Sequence, residues 1–344
     1  MDALAAAGAP WPGAVAVSGG GDSVALMHLL ARWARRRRRP PPHVVTVDHA
    51  LRAGSAKDAR AVLRWAKAAG LKAKALRRSG PAPSSDIEAA AREARYRLMG
   101  EWARRQGIAA LYVAHTRDDQ AETFLLRLMR GSGLDGLSAM RPIAAYPMPG
   151  FRDLTLVRPL LDLPREGLRA HLAKAGQGWI EDPMNQEERF ARVRLRKLIP
   201  ALEEAGLTRH RIAGAAAHLA RAREALDTVT AAVLARIARP VGRTLHVDLV
   251  GLAAAPREVG LRALAQLLMA VSGQSYRPRF ERLERLFDRL DAVGGGCTLH
   301  GCRVAMAPSG KGVFGAGTLV IARETGRSRD KSSKIAAATA VDLN

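Results

Sequence analysis

Ala14-Val15-Ala16-Val17-Ser18-Gly19-Gly20-Gly21-Asp22-Ser23-Val24-Ala25-Leu26-Met27 is the stretch that decides the fold. Its first four residues are small and apolar, as in a short buried strand. Three glycines and two serines follow, and the apolar residues after them recur at helical spacing. A strand, a glycine turn and a helix start gather several backbone N–H groups at the positive end of a helix dipole, which suits an anion such as phosphate. Glycine admits the close approach and supplies any positive φ the turn requires.

Two familiar phosphate loops do not fit. A Walker A loop carries Lys and Ser/Thr after its last glycine, where this chain has Asp22-Ser23, and the dinucleotide fingerprint spaces its glycines apart. An acid beside phosphates is repelled unless a divalent cation bridges them, so Asp22 points to Mg2+. The bland alternative is that Asp22 or Ser23 only caps the helix.

Outward from the loop, β–α alternation continues. The spacing predicts a helix over 23–35, a strand over 43–48, a helix over 55–69, a strand over 72–76, a helix over 87–106 and a strand over 109–114. This order predicts an α/β fold with a doubly wound parallel sheet, whose ligands bind at the C-terminal ends of the strands. Asp48 ends one strand. His115-Thr116-Arg117-Asp118-Asp119-Gln120-Ala121-Glu122 ends another and opens the next helix. Acids in a first helical turn ordinarily serve the dipole. At a strand end they also suit a metal or an amine, which makes Asp48, Asp118, Asp119 and Glu122 the candidate catalytic residues. The run Arg35–Arg39 before three prolines reads as a solvated helix end. Glu88, Arg92, Arg95 and Tyr96 fall on one helical face, usually a salt-bridged surface.

Further on, the spacing predicts a helix over 165–174. Arg192, Arg194, Arg196 and Lys197 alternate with apolar residues as one basic edge, a candidate RNA contact or a solvated amphipathic segment. Composition shifts near 205. An Ala-rich helix over 209–234, a strand over 244–249, helices over 257–271 and 279–290 and a hairpin over 294–304 predict a smaller, mainly helical domain. The expected organisation is a phosphate-binding domain at 1–205, an accessory domain at 206–322 and a frayed tail at 323–344.

The chain has 344 residues, 55 Lys and Arg against 32 Asp and Glu, and a formal net charge of +23 spread nearly evenly over both halves. Such a surface attracts polyanions, nucleic acid first among them. Aromatic residues make up only 4%, which disfavours a stacking platform for long single strands. No apolar run reaches the ~18 residues of a membrane span, and no signal-peptide layout opens the chain. With only two cysteines, Cys297 and Cys302, a reducing cytoplasm is the expected setting.

Ser18-Gly19-Gly20-Gly21-Asp22-Ser23 resembles the SGGxDS pyrophosphate loop of the PP-loop ATPases, which implies the adenine nucleotide alpha hydrolase-like fold and ATP cleaved between its α and β phosphates. Within that superfamily, VDHALR at 47–52, EAAAREARY at 88–96, AHTRDDQAETFLLRLMRGSGLDGL at 114–137, RPLL at 158–161, WIEDPMN at 179–185 and RVRLRKLIP at 192–200 resemble the tRNA(Ile)-lysidine synthetase family. The resemblance implies ATP and Mg2+ at Ser18, Gly19, Gly20, Gly21, Asp22 and Ser23. It implies adenylation of the wobble cytidine of an isoleucine tRNA with a CAU anticodon, then attack by free lysine. Thr116 departs from the family, which often carries His or Asn there. A related class, the tRNA-thiolating enzymes, generally needs cysteines near the ATP site, whereas Cys297 and Cys302 lie in the expected accessory domain. A non-catalytic RNA-binding protein with a degenerate loop is the reading from outside enzymology.

Overall fold

The computed structural model describes residues 1–48, 54–78, 87–181, 191–274, 276–290 and 296–324. Small side chains let β1 (Ala14–Ala16) lie mid-sheet, paired in parallel with β2 (His43–Asp48) on one side and β4 (Ala110–Tyr112) on the other. Outside β2 runs β3 (Ala73–Arg77), and outside β4 runs β6 (Thr155–Val157), both parallel. An antiparallel edge strand, β5 (Ile143–Ala145), completes the order β3-β2-β1-β4-β6-β5. The parallel sheet is thus as the sequence predicts, and the β5–β6 pair is an addition to it.

Successive strand residues feed opposite cores, as a pleated sheet covered on both faces requires. Val15, Val44, Ala110, Tyr112 and Val157 pack with α2 (Gly21–Arg36), α3 (Ser55–Ala68) and α7 (Arg165–Lys174), through Leu26, Leu30, Val62 and Leu172. Ala14, Val45, Leu111 and Leu156 pack on the other face against Tyr96, Met99 and Trp102 of α4 (Ile87–Arg105). A third cluster joins Ala121 and Leu125 of α5 (Arg117–Leu128), Leu195 and Ile199 of α8 (Ala191–Glu204) and Ile212 at the start of α9 (Arg209–Ile237). From β1 the chain steps outward to β2 and β3 on one side and then crosses to β4 on the other, all four strands parallel, so the crevice between β1 and β4 is the topological switch point.

The chain divides into two compact units, Met1–Arg223 and Glu224–Asn344. Composition places the change near 205, but the first unit runs on to Arg223 because Ile212 is sealed into the α5–α8 cluster. The second unit carries an antiparallel sheet, β7-β8-β11-β10-β9, beside its helices. The strands of this sheet are β7 (Ala238–Val241), β8 (Thr244–Asp248), β9 (Cys297–Leu299), β10 (Cys302–Met306) and β11 (Thr318–Arg323). The sequence shows β8 and the β9–β10 hairpin; β7 and β11 are additions. Val247, Val304, Leu319 and Ile321 of the sheet close a core with Leu261, Leu264 and Leu268 of the helix Arg257–Ser272. Arg262 is the largest fully buried side chain there, held by Asp227 at 3.1 Å and Glu258 at 2.9 Å. Both cysteines are free and belong to this unit. Among the described residues, no helix is long and apolar enough to cross a membrane. The tail at 325–344 lies outside the described residues.

Candidate active site

The loop after β1 has the form its glycines predict. Gly19 has φ of +96°, and a Cβ there would stand 2.6 Å from Ile180 Cδ1, so both backbone and space call for glycine. The Ile180 N–H donates to the Gly19 carbonyl at 2.9 Å, which makes Trp179-Ile180-Glu181 a brace for the loop. Ser23 donates its hydroxyl to the Gly20 carbonyl at 2.8 Å and accepts the Ser18 N–H at 3.2 Å, tying the turn to the first turn of α2. Among the described residues, the N–H groups of Gly19, Gly21 and Asp22 meet no protein acceptor. Three unsatisfied donors at a helix N-terminus form an anion cradle.

Asp22 lies on the rim of that cradle. Its Oδ2 accepts from Arg165 Nε at 2.9 Å, while Oδ1 is buried with no hydrogen-bond partner. Burial holds the Asp22 pKa above the usual carboxylate value, and Arg165 offsets this only in part. One orphaned carboxylate oxygen beside phosphate-binding amides suits Mg2+, which takes one or two protein carboxylates and completes its shell with water and phosphate oxygens. Among the described residues, no three His, Cys, Asp or Glu side chains cluster to hold a metal by themselves.

The acids of α5 stand next to this loop. Thr116 is the N-cap of α5 and forms a capping box with Asp119. The Thr116 N–H and hydroxyl both donate to Asp119 Oδ2, at 2.8 and 2.9 Å. Threonine at this position is therefore a structural anchor for an acid. Burial works to raise the Asp119 pKa, but Arg165 and the Thr116 bonds outweigh it, and the carboxyl stays below its ordinary value. Asp118 Oδ2 accepts the Arg165 backbone N–H at 2.9 Å, capping α7, and its Oδ1 faces Arg209 at 3.3 Å. Glu122, 2% exposed, is gripped by Arg196 through bonds of 2.6 and 3.1 Å.

Arg165 joins these parts. Its guanidinium meets Asp22 at 2.9 Å, Asp119 at 3.1 Å and Glu122 at 3.9 Å. Burial disfavours its charge, yet Asp119, Asp22 and Glu122 together raise its pKa above the ordinary value. Four carboxylates thus face the three guanidiniums of Arg165, Arg196 and Arg209, and Arg209 is shared with Glu203 at 2.7 Å.

The basic segment departs from its sequence reading. It forms α8, and a helix sends residues two apart to different sides. Arg192 and Arg196 share one side, with Arg196 committed to Glu122; Arg194 and Lys197 are exposed on another. Arg92, Arg95, Arg158 and Arg192 have no carboxylate partner among the described residues. Arg92 and Arg95 lie over Tyr96, at 5.0 and 5.5 Å from the ring centre. Burial pushes the pKa of Arg95 and of Arg158 down. Arg158 Nε donates to His115 Nδ1 at 3.2 Å, which requires Nδ1 unprotonated and places the imidazole proton on Nε2. Desolvation and the nearby Arg158, Arg192 and Arg92 lower the His115 pKa, so the ring is neutral at pH 7.

Of the residues singled out from sequence, Ser18 to Ser23, Asp118, Asp119, Glu122 and Arg196 come together through Arg165. Asp48 is buried at the end of β2, next to β1 in the sheet. His49 and the rest of VDHALR after Asp48 lie outside the described residues, as do residues 182–190 of the WIEDPMN segment and beyond. Arg92, Arg95 and Arg158, with no carboxylate partner among the described residues, and Arg165 itself are not among the site residues read from sequence. Arg165 leaves only a faint local mark, a cation in a first helical turn where the dipole disfavours it.

Residues 12–202 match the family model described as the PP-loop domain. Over 296 residues the chain is 45% identical to a tRNA(Ile)-lysidine synthase of Methylobacterium nodulans, covering 83% of this chain and 85% of that one. It is 44% identical over 292 residues to one of Bradyrhizobium diazoefficiens, with coverage of 81% and 79%. With one of Methylobacterium sp. strain 4-46 it shares 41% identity over 339 residues, 94% of each chain.

Proposed function

Because the chain belongs to the tRNA(Ile)-lysidine synthase family of PP-loop proteins, we propose that it makes lysidine from a tRNA, ATP and free lysine. The observation that carries this reading is the contact between an anion cradle and an acidic amine site through one side chain, Arg165. In the first step the C2 oxygen of the wobble cytidine of a CAU-anticodon isoleucine tRNA attacks the α phosphorus of ATP, and pyrophosphate leaves. A carbonyl oxygen is a poor leaving group, and esterified to AMP it becomes a good one. In the second step the ε-amine of lysine attacks C2, and AMP departs.

The chain's own groups have distinct parts in this. The N–H groups of Gly19, Gly21 and Asp22 hold the departing pyrophosphate, preorganised where negative charge accumulates. Asp22 would hold Mg2+, which when bound neutralises part of that charge. Asp119 is kept ionised by its neighbours, so it suits a fixed anion that seats an ammonium better than a base. Asp48, Asp118 and Glu122 complete the carboxylates available to orient the amine and take its proton. Neutral His115 has Nδ1 occupied by Arg158, which makes it a donor through Nε2. Arg92, Arg95, Arg158 and Arg192, without a carboxylate partner among the described residues, suit the RNA backbone, and the +23 charge draws tRNA to the surface. The three substrates meet in the cytoplasm, where we place the protein.

Nucleoside mass spectrometry on tRNA incubated with the protein, ATP and isotope-labelled lysine tests the proposal. The expected product is cytidine bearing labelled lysine, with one AMP released per base modified. Sulfur in the base would support the thiolating alternative, and absence of tRNA-dependent AMP release would support a non-catalytic RNA-binding protein.

A further inference from the structure

The four carboxylates are compensated unequally, and the inequality centres on one atom. Asp119 Oδ2 takes both bonds from Thr116, so among the described residues Asp119 Oδ1 has only Arg165, at 3.1 Å. Glu122 keeps its two-pronged contact with Arg196 whether or not Arg165 is near. Asp22 Oδ2 has Arg165 Nε at 2.9 Å, beside three amides that await an anion. The Arg165 backbone is fixed by Asp118, so the part able to move is the long side chain, whose guanidinium spans the phosphate and amine sites.

A triphosphate in the cradle brings several negative charges to the Asp22 side of that guanidinium. Arginine pairs with phosphate through two parallel hydrogen bonds, a stronger arrangement than its single contacts with Asp22 and Asp119. The balance then moves the guanidinium toward the nucleotide and away from Asp119 Oδ1. That oxygen, buried and charged, is left to take another cation.

We propose that Arg165 is a positioning residue that couples the two small substrates. In the nucleotide-free protein its guanidinium occupies the seat of lysine's ammonium at Asp119, and ATP draws it to the phosphates and opens that seat. Lysine therefore binds after ATP, and by linkage each ligand strengthens the other by the same factor. This inference rests on the proposed use of ATP and lysine.

Equilibrium dialysis of radiolabelled lysine against the full chain, with and without a non-hydrolysable ATP analogue and Mg2+, reads the coupling directly. In the wild type the analogue should tighten lysine binding about tenfold or more, and saturating lysine should tighten the analogue equally. In Arg165→Gln the two lysine affinities should agree within about twofold, with the nucleotide-free value no weaker than wild type. Arg165→Lys, which keeps the charge but loses the fork, should show an intermediate ratio. Equal lysine affinity with and without nucleotide in the wild type, or full coupling retained in Arg165→Gln, overturns the proposal. If Arg165→Gln does not fold, as judged by circular dichroism, the wild-type ratio and Arg165→Lys decide. The tRNA assay runs in parallel: no lysidine from the wild type would defeat the functional reading, whereas lysidine formed without coupling defeats this inference alone.

Discussion

Glu122 and Arg196 form a pair whose two ends differ in burial, 2% against 31% exposed, and that asymmetry sets the cost of breaking it. Removing one partner of a fully buried pair costs about 3–5 kcal/mol, and an exposed pair is worth about 0.2–1 kcal/mol. Glu122→Gln keeps the shape and one acceptor for Arg196, so the loss should fall between these limits, about 2 kcal/mol. Arg196→Met leaves the buried Glu122 carboxylate with Arg165, at 3.9 Å, as its one cation among the described residues, and should cost at least as much. The double variant Glu122→Gln with Arg196→Met removes both charges together. Its loss should fall short of the sum of the single losses, giving a coupling of about 2 kcal/mol. Urea unfolding followed by tryptophan fluorescence is the assay. All five tryptophans lie within residues 1–223, so the signal reports on the first unit alone. Additivity within about 0.5 kcal/mol would refute the reasoning, since the pair would then contribute no more than solvated charges do. The double variant should stay folded yet lose lysidine formation, because the carboxylate is gone while the scaffold remains.

Asp22→Ala should lower AMP formation by about 100-fold or more while largely sparing tRNA binding, and a fully active variant would remove Asp22 from the phosphate site. The depressed His115 pKa means that the unfolded chain binds a proton before the folded protein does, so stability falls as pH drops through the unfolded value near 6.5. The His115 contribution should amount to about 1 kcal/mol between pH 7.5 and 5.5. Urea titrations of wild type and His115→Gln at the two pH values measure it, and parallel losses would contradict a neutral ring. Raising salt from about 50 to 200 mM should weaken tRNA binding roughly a thousandfold if about six phosphates are contacted. A flat response in filter binding would mean that the basic surface does not dock the RNA.

The phosphate loop was legible because its chemistry is local: a positive φ at Gly19 and free amides at a helix start follow from neighbouring residues. The β–α alternation was legible for the same reason, since hydrophobic runs and helical spacing declare themselves within a few residues. Thr116-Arg117-Asp118-Asp119 also carried a capping signal, a threonine with an acid three residues on, and the structure gives that threonine its role. Arg165 was not legible, because its partners Asp22 and Asp119 lie 143 and 46 residues away in sequence. The cations of α8 misled through period: alternation looks like one edge only if the segment is extended, and a helix scatters it. That Arg92, Arg95 and Arg158 have no acid partner among the described residues, unlike Arg97 and Arg104 of the same α4, shows only when the sheet edge is assembled.

The acids of the amine site are synthesised well before the cations that neutralise them. Glu122 precedes Arg196 by 74 residues, a gap of roughly 4–15 s at about 5–20 residues per second on the ribosome. Until α7, α8 and the start of α9 emerge, closing the switch-point crevice would trap uncompensated carboxylates, a cost that opposes early closure of the sheet there. The arginines of these late helices therefore tie completion of the centre to the last part of the first unit to be synthesised.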